Sequence, residues 1–218
     1  MDRDRTVIYF LAVLLCAAVP AAVAVFTTDK LALHASLNAE HQPLGEWFFA
    51  WFTHLADGLV PTALALTILI LRDLRSFLLL GGSCALSAII VQVLKRQVFP
   101  GHDRPVKFLD VMPAMDWVQG IELHHHFSFP SGHSTAAFSM CLALAVIIGR
   151  PAWGFALALL ASALAYSRVY LSQHFTEDVL AGAFLGAATT LALYHLLYKG
   201  RGSTKAWLDH RLRRQRNQ

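Results

Sequence analysis

Charge is the scarcest property of this chain. Asp, Glu, Lys and Arg make up 15% of its 218 residues, where a soluble domain carries about a quarter, and 56% of the chain is hydrophobic. A sequence so short of charge excludes an ordinary soluble domain and points to a membrane protein. Cysteine is scarce as well. Cys16, Cys84 and Cys141 each fall inside an apolar run, so packing accounts for them, and neither a disulfide framework nor a thiolate metal site follows. Internal repeats, low-complexity tracts and composition breaks are missing, so a single domain over residues 1–218 is expected.

What the chain does have is long apolar runs. Stretches near the roughly 20 residues that cross a bilayer occur at 7–26, 58–71 (extending back to 47), 77–94, 134–148, 151–167 and 179–198. The expected fold is therefore all-α, a polytopic bundle of six transmembrane helices. The shorter runs reach full length by taking in polar residues that face the bundle interior, and function is expected at those residues. The first run follows Arg3 and Arg5 and contains Ala22-Val23-Ala24, the composition of a signal peptide with its cleavage site. Because the run continues to Phe26, an uncleaved span is expected.

Basic residues separate by loop. One set of loops holds Arg3, Arg5, Arg72, Arg75 and Arg150 with the tail 199–218; the other holds Lys30, Lys95, Arg96, Arg104, Lys107 and Arg168. The positive-inside rule makes the first set cytoplasmic, with both termini inside, and the expected location is a bacterial inner membrane. The tail carries Lys199, Arg201, Lys205, Arg211, Arg213, Arg214 and Arg216. Such a segment directly after a membrane helix meets anionic lipid, so no nucleic acid partner is expected.

Three polar clusters interrupt the apolar background: "KRQVFPGHDRP" with Lys95 and Arg104-Pro105, "PSGH" at residues 130–133, and "SRVYLSQHFTED" with Arg168, His174 and Asp178. Chain parity brings them together. The end of span three and the start of span four share a face, and two further crossings return the chain to it at the end of span five and the start of span six. The site is then expected on the periplasmic side.

Lys95, Arg104 and Arg168 would repel one another unless a multivalent anion sits between them, and guanidinium forks match phosphate oxygens. Pro130 suits the first turn of a helix, so that Ser131, Gly132 and His133 would present free backbone N–H groups at the positive end of the helix dipole, a cradle for an anion. His174 and Asp178 stand one helical turn apart, which lets the carboxylate bind one ring nitrogen and leaves the other as nucleophile or base. His133 is placed to be a general acid. Singly, each has an ordinary reading as helix cap, snorkelling cation or helix-end pair; jointly they favour catalysis.

His124, His125 and His126, with His102 in the same loop, are adjacent residues that point in different directions and cannot all ligate one ion. Neither a metal nor another cofactor is expected, since the cationic cradle supplies the charge a metal would bring. His54, Asp57 and His195 lie within or beside apolar runs, where packing or pore-lining roles are as fitting as catalysis. Gly182 and Gly186 form a Gly-x-x-x-Gly pattern that marks close helix packing.

The order Lys…Arg-Pro, Pro-Ser-Gly-His, Ser-Arg-x5-His-x3-Asp resembles the tripartite signature of the type 2 phosphatidic acid phosphatase (PAP2) superfamily, with its motif core at residues 95–178. The second and third motifs match residue for residue. The first is longer, with eight residues between Lys95 and Arg104, two more than the family pattern. The resemblance implies a metal-independent phosphatase acting on a lipid phosphate or pyrophosphate, such as phosphatidic acid, phosphatidylglycerophosphate, undecaprenyl pyrophosphate or lipid A. It implies that His174 attacks phosphorus to form a phosphohistidine, Asp178 orients it and His133 protonates the leaving group. Lys95, Arg104, Ser131, Gly132 and Arg168 would hold the phosphate oxygens. A lipid phosphotransferase would use the same residues. An anion or proton transporter would need polar residues continuing to the cytoplasmic end, and residues 134–148 and 179–198 turn apolar instead.

Overall fold

The computed structural model describes residues 2–211. Eight α-helices occur among them: α1 (Arg3–Thr27), α2 (Lys30–Leu37), α3 (Pro43–Phe52), α4 (Leu59–Leu71), α5 (Leu74–Val93), α6 (Gly132–Ile148), α7 (Pro151–Tyr170) and α8 (Thr176–Tyr194). Alpha-helix gives way to a π-helical turn at Leu94–Val98 after α5 and at His195–Lys199 after α8.

The expectation of an all-helical chain holds, but not all six expected spans are full-length helices. Among the described residues four helices are long and apolar enough to cross a bilayer: Arg3–Thr27, Leu74–Val98, Pro151–Tyr170 and Thr176–Lys199. The expected second span is broken. Pro43–Ala56 and Leu59–Leu71 meet at a 46° bend, which brings the total to five if the pair is one span. At the break, α3 has tightened into the 3-10 turn Thr53–Ala56, and Asp57 leaves it in extended conformation. The fourth run forms the 17-residue α6, about 25 Å at 1.5 Å per residue and short of the ~30 Å hydrocarbon thickness.

Helix α6 is apolar on every side and buried for most of its length, which makes it the core element. It packs on α5, α7, α8 and α1. Close approach to α8 depends on two glycines: a Cβ on Gly182 would collide with the Ser131 carbonyl oxygen, and one on Gly186 with that of Thr135. Small polar side chains tie the same interface, with Ser134 Oγ donating to the Val179 carbonyl at 2.7 Å and Thr190 Oγ1 to the Ser139 carbonyl at 3.3 Å. The outer helices show the opposite character. Ile8, Leu15, Val19 and Val23 of α1, Leu66 and Ile70 of α4, and Leu86, Ile89 and Val93 of α5 are all exposed, a surface suited to lipid tails rather than water.

The two bundle ends differ. At one, Asp4 bonds Lys199 and Tyr194, each at 2.7 Å, and Asp2 N–H donates to the Gly149 carbonyl. Arg75 there grips the chain after α8, reaching Asp209 and the carbonyls of Leu197, Gly202 and Lys205. The beginning and end of the described chain thus share this end. Arg213, Arg214 and Arg216 of the basic tail lie outside the described residues. The other end carries the three polar clusters. After the π-helical turn that ends α5, its loop to α6 is irregular apart from the 3-10 turn Pro105–Phe108.

Candidate active site

All three clusters meet, together with residues that the sequence does not single out. Lys95 lies in the π-helical turn ending α5. Its Nζ donates to the Phe127 carbonyl at 2.8 Å, and Phe127 sits in the left-handed region at φ 57°. Arg104 reaches the His126 carbonyl through Nε at 3.0 Å and both the carbonyl and the side-chain oxygen of Gln173 through one terminal nitrogen at 3.1 and 3.2 Å. Between Lys95 and Arg104 the chain turns at residues 99–102, where the Phe99 carbonyl accepts from His102 N–H. Arg168, at the end of α7, donates to Thr53 Oγ1 at 2.9 Å. Its Nε is buried without a partner among the described residues.

Lys95, Arg104 and Arg168 are all buried. Burying cations is costly unless they are paired, and among the described residues the one buried carboxylate near them is Asp178. A site with this excess of positive charge can hold an anion with several oxygens.

Pro130 is not in the first helical turn as expected. Helix α6 begins at Gly132 with Ser131 as its N-cap, and Pro130 precedes the cap behind a cis Phe129–Pro130 peptide. The expected cradle narrows accordingly. Ser131 N–H is taken by the Asp178 carbonyl at 2.9 Å, and Ser131 Oγ accepts from Ser134 N–H at 3.4 Å. The first-turn N–H groups of Gly132 and His133 remain for a ligand.

His174 also stands outside its helix. Residues 171–175 form a non-helical linker, and α8 starts at Thr176, so the pair with Asp178 is not the helical i,i+4 pair that its spacing predicts. The linker is folded so that His174 N–H and Gln173 N–H both donate to the Arg168 carbonyl, at 3.1 and 2.9 Å. Asp178 Oδ2 caps α8 by accepting from Phe175 N–H at 3.0 Å and lies 3.4 Å from His174 Nδ1. Ser128 enters between them, 3.3 Å from His174 Nδ1 and donating to Asp178 Oδ2 at 2.5 Å. With Nδ1 occupied, Nε2 is the nitrogen left for chemistry.

Burial is the first cause that holds the His174 imidazole well below its ordinary pKa, reinforced by the cations of Arg104, Lys95 and Arg168. It is therefore neutral near pH 7 and has a lone pair to give. Burial likewise lowers Arg104, with Asp178 opposing. Beneath the linker, His34 packs edge-on against Phe175 and meets Ser172 Oγ at 3.2 Å. Burial pushes His34 down to about 4, which keeps it neutral.

His133 Nε2 donates to Asp57 Oδ1 at 2.6 Å, and the other Asp57 oxygen pairs with His54 Nδ1 at 2.7 Å. The sequence alone leaves Asp57 and His54 undecided. A carboxylate inside an apolar stretch is the available signal. Ser128, Thr53 and Gln173 carry none. His195 lies at the far end of α8 in its π-helical turn, away from these residues. Of the histidine run, His126 pairs with Asp103 at 2.7 Å.

The family model described as PAP2 superfamily matches residues 76–201. The chain belongs to the PAP2 superfamily. It is 36% identical over 113 residues to "Putative undecaprenyl-diphosphatase YbjG" of Escherichia coli (strain K12), 47% of this chain and 51% of that protein. The chain therefore spans about half the length of that relative. Among solved structures, LpxE of Aquifex aeolicus superposes with a TM-score of 0.65 at 28% identity, over 75% of this chain and 93% of that one. The first transmembrane PAP2 type phosphatidylglycerolphosphate phosphatase from Bacillus subtilis gives 0.61 at 22% identity, over 91% and 96%, and shares the fold.

Proposed function

We propose that this PAP2 protein is a membrane lipid phosphatase that hydrolyses a phosphomonoester or pyrophosphate through a phosphohistidine on His174. The observation that carries this is a neutral, buried imidazole with Nδ1 held by Asp178 and Ser128, facing an excess of cations. Lys95, Arg104 and Arg168, with the N–H groups of Gly132 and His133, neutralise the phosphate oxygens as charge gathers on them in the transition state. The Ser131 hydroxyl adds a contact by rotating away from its weak cap bond. His174 Nε2 attacks phosphorus while His133 protonates the departing oxygen; water then hydrolyses the P–N bond.

The substrate is a lipid because the site opens at the end of an apolar bundle, where a tail remains in the bilayer. Undecaprenyl pyrophosphate is the first candidate, on the strength of the YbjG match. We read the protein as one domain crossing a bacterial inner membrane six times, with the bent pair as one span and α6 as another. Its termini are cytoplasmic and its site periplasmic, by the loop charges.

Phosphate release by the purified protein from mixed micelles of undecaprenyl pyrophosphate, phosphatidic acid and phosphatidylglycerophosphate tests this reading. Turnover of at least one, lost in His174→Ala while that variant remains folded, is expected. Release undiminished in that variant would remove the covalent mechanism.

A further inference from the structure

Asp57 departs from the pattern around it. It lies at the break between the 3-10 turn and α4, beside Gly58, and a bland reading would make it a partner for His54 three residues earlier. That accounts for one of its oxygens. The other accepts from His133, 76 residues away in sequence, at 2.6 Å. From the same turn, Thr53 accepts from Arg168. One broken span thus supports two residues of the phosphate site. A cavity of about 220 Å³ opens beside His133, lined also by Asp57, Gln92 and Gly132 among others, with room for the first atoms of a leaving group.

We infer that Asp57 is the positioning residue for the general acid His133, as Asp178 is for His174, and that His54 holds the carboxylate in place. The inference rests on the proposed role of His133. A carboxylate only accepts, so it fixes the proton on His133 Nε2 and leaves Nδ1 as the nitrogen for substrate. General acid action requires the imidazolium when a phosphate dianion is bound, with a second proton on Nδ1.

The protons then balance over the cycle. As His174 Nε2 bonds to phosphorus, the P–O bond to the lipid breaks with its electron pair on oxygen, and that oxygen takes the Nδ1 proton of His133. Neutral His133 keeps its Nε2 proton on Asp57. In the second half, Nδ1 takes a proton from the water that attacks phosphorus, the P–N bond breaks, and the imidazolium is restored. Asp57 gains and loses no proton.

The test uses the need of the leaving group for a proton. An alkoxide leaves poorly unless protonated, whereas nitrophenolate leaves unaided. Asp57→Asn should lower kcat about a hundredfold on a lipid phosphomonoester that the wild type hydrolyses, the scale of lost general acid catalysis, with KM nearly unchanged. On p-nitrophenyl phosphate the same protein should lose only about threefold. The ratio between substrates is independent of how much of the variant folds. Asp57→Glu should recover part of the lipid activity, and His54→Gln should show the same selectivity at smaller size. His133→Ala, measured in parallel, separates the two claims. If it is selective and Asp57→Asn slows both substrates equally or neither, Asp57 does not position the acid. If His133→Ala itself shows no selectivity, the general acid assignment falls.

Discussion

The Ser128 hydroxyl donates to Asp178 Oδ2 at 2.5 Å while lying 3.3 Å from His174 Nδ1. The dyad is thus bridged, and its 3.4 Å direct separation is longer than a good hydrogen bond. Ser128→Ala should lower kcat about tenfold, equivalent to about 1.4 kcal/mol of transition-state stabilisation, with KM little changed. Steady-state kinetics on the preferred lipid check this; an unaltered kcat would make the direct contact sufficient.

Helix packing gives a prediction far from any reacting atom. Gly182 lets α8 approach the Ser131 carbonyl so closely that a Cβ has no room. Gly182→Ala should destabilise the detergent-solubilised protein by about 1–3 kcal/mol, the usual cost of overpacking. Because Ser131 caps α6, activity should fall as well. A thermal melt and an activity assay on the same sample read both effects.

The lowered pKa of His174 fixes the direction of a pH effect. The neutral imidazole attacks, so kcat/KM should hold down to the acid side of the ordinary histidine value of about 6.5 and fall only as pH drops through the depressed folded pKa. Stability follows the same sign. Below about 6.5 the unfolded chain binds a proton that the buried ring refuses, so His174 contributes stability that is lost as pH falls toward its folded pKa. An acid limb above about 6.5 would reverse the assignment.

Orientation is tested by thiol labelling after Cys16, Cys84 and Cys141 are replaced with alanine. A cysteine introduced at Gln119 should react with a membrane-impermeant reagent in spheroplasts, and one at Ser203 only after lysis. The reverse pattern would put the site in the cytoplasm.

Much of this site can be read from residue types and chain parity. Lys95, Arg104, Ser131, Gly132, His133, Arg168, His174 and Asp178 share one end because turns between antiparallel helices return the chain there at fixed intervals. What the sequence conceals is backbone conformation. Spacing puts Pro130 in a helix and His174 and Asp178 on one helical face; the cap at Ser131 and the linker after α7 override both. Spacing also reads residues 47–71 as one span, while the bend at Asp57 turns an apparent intramembrane carboxylate into a partner for His133. Ser128 is illegible for a different reason: a serine in a loop acquires meaning only when the fold sets it between two other side chains.

The central claim is a phosphohistidine at His174, and trapping it is the most direct measurement. Protein mixed with the lipid it turns over fastest, ³²P-labelled in its terminal phosphate, and quenched in alkali during turnover should retain label, because phosphohistidine survives alkali and is lost in acid. Digestion should map the label to the peptide containing His174, and His174→Ala should carry none. Turnover without retained label, or label on another residue, would contradict the account.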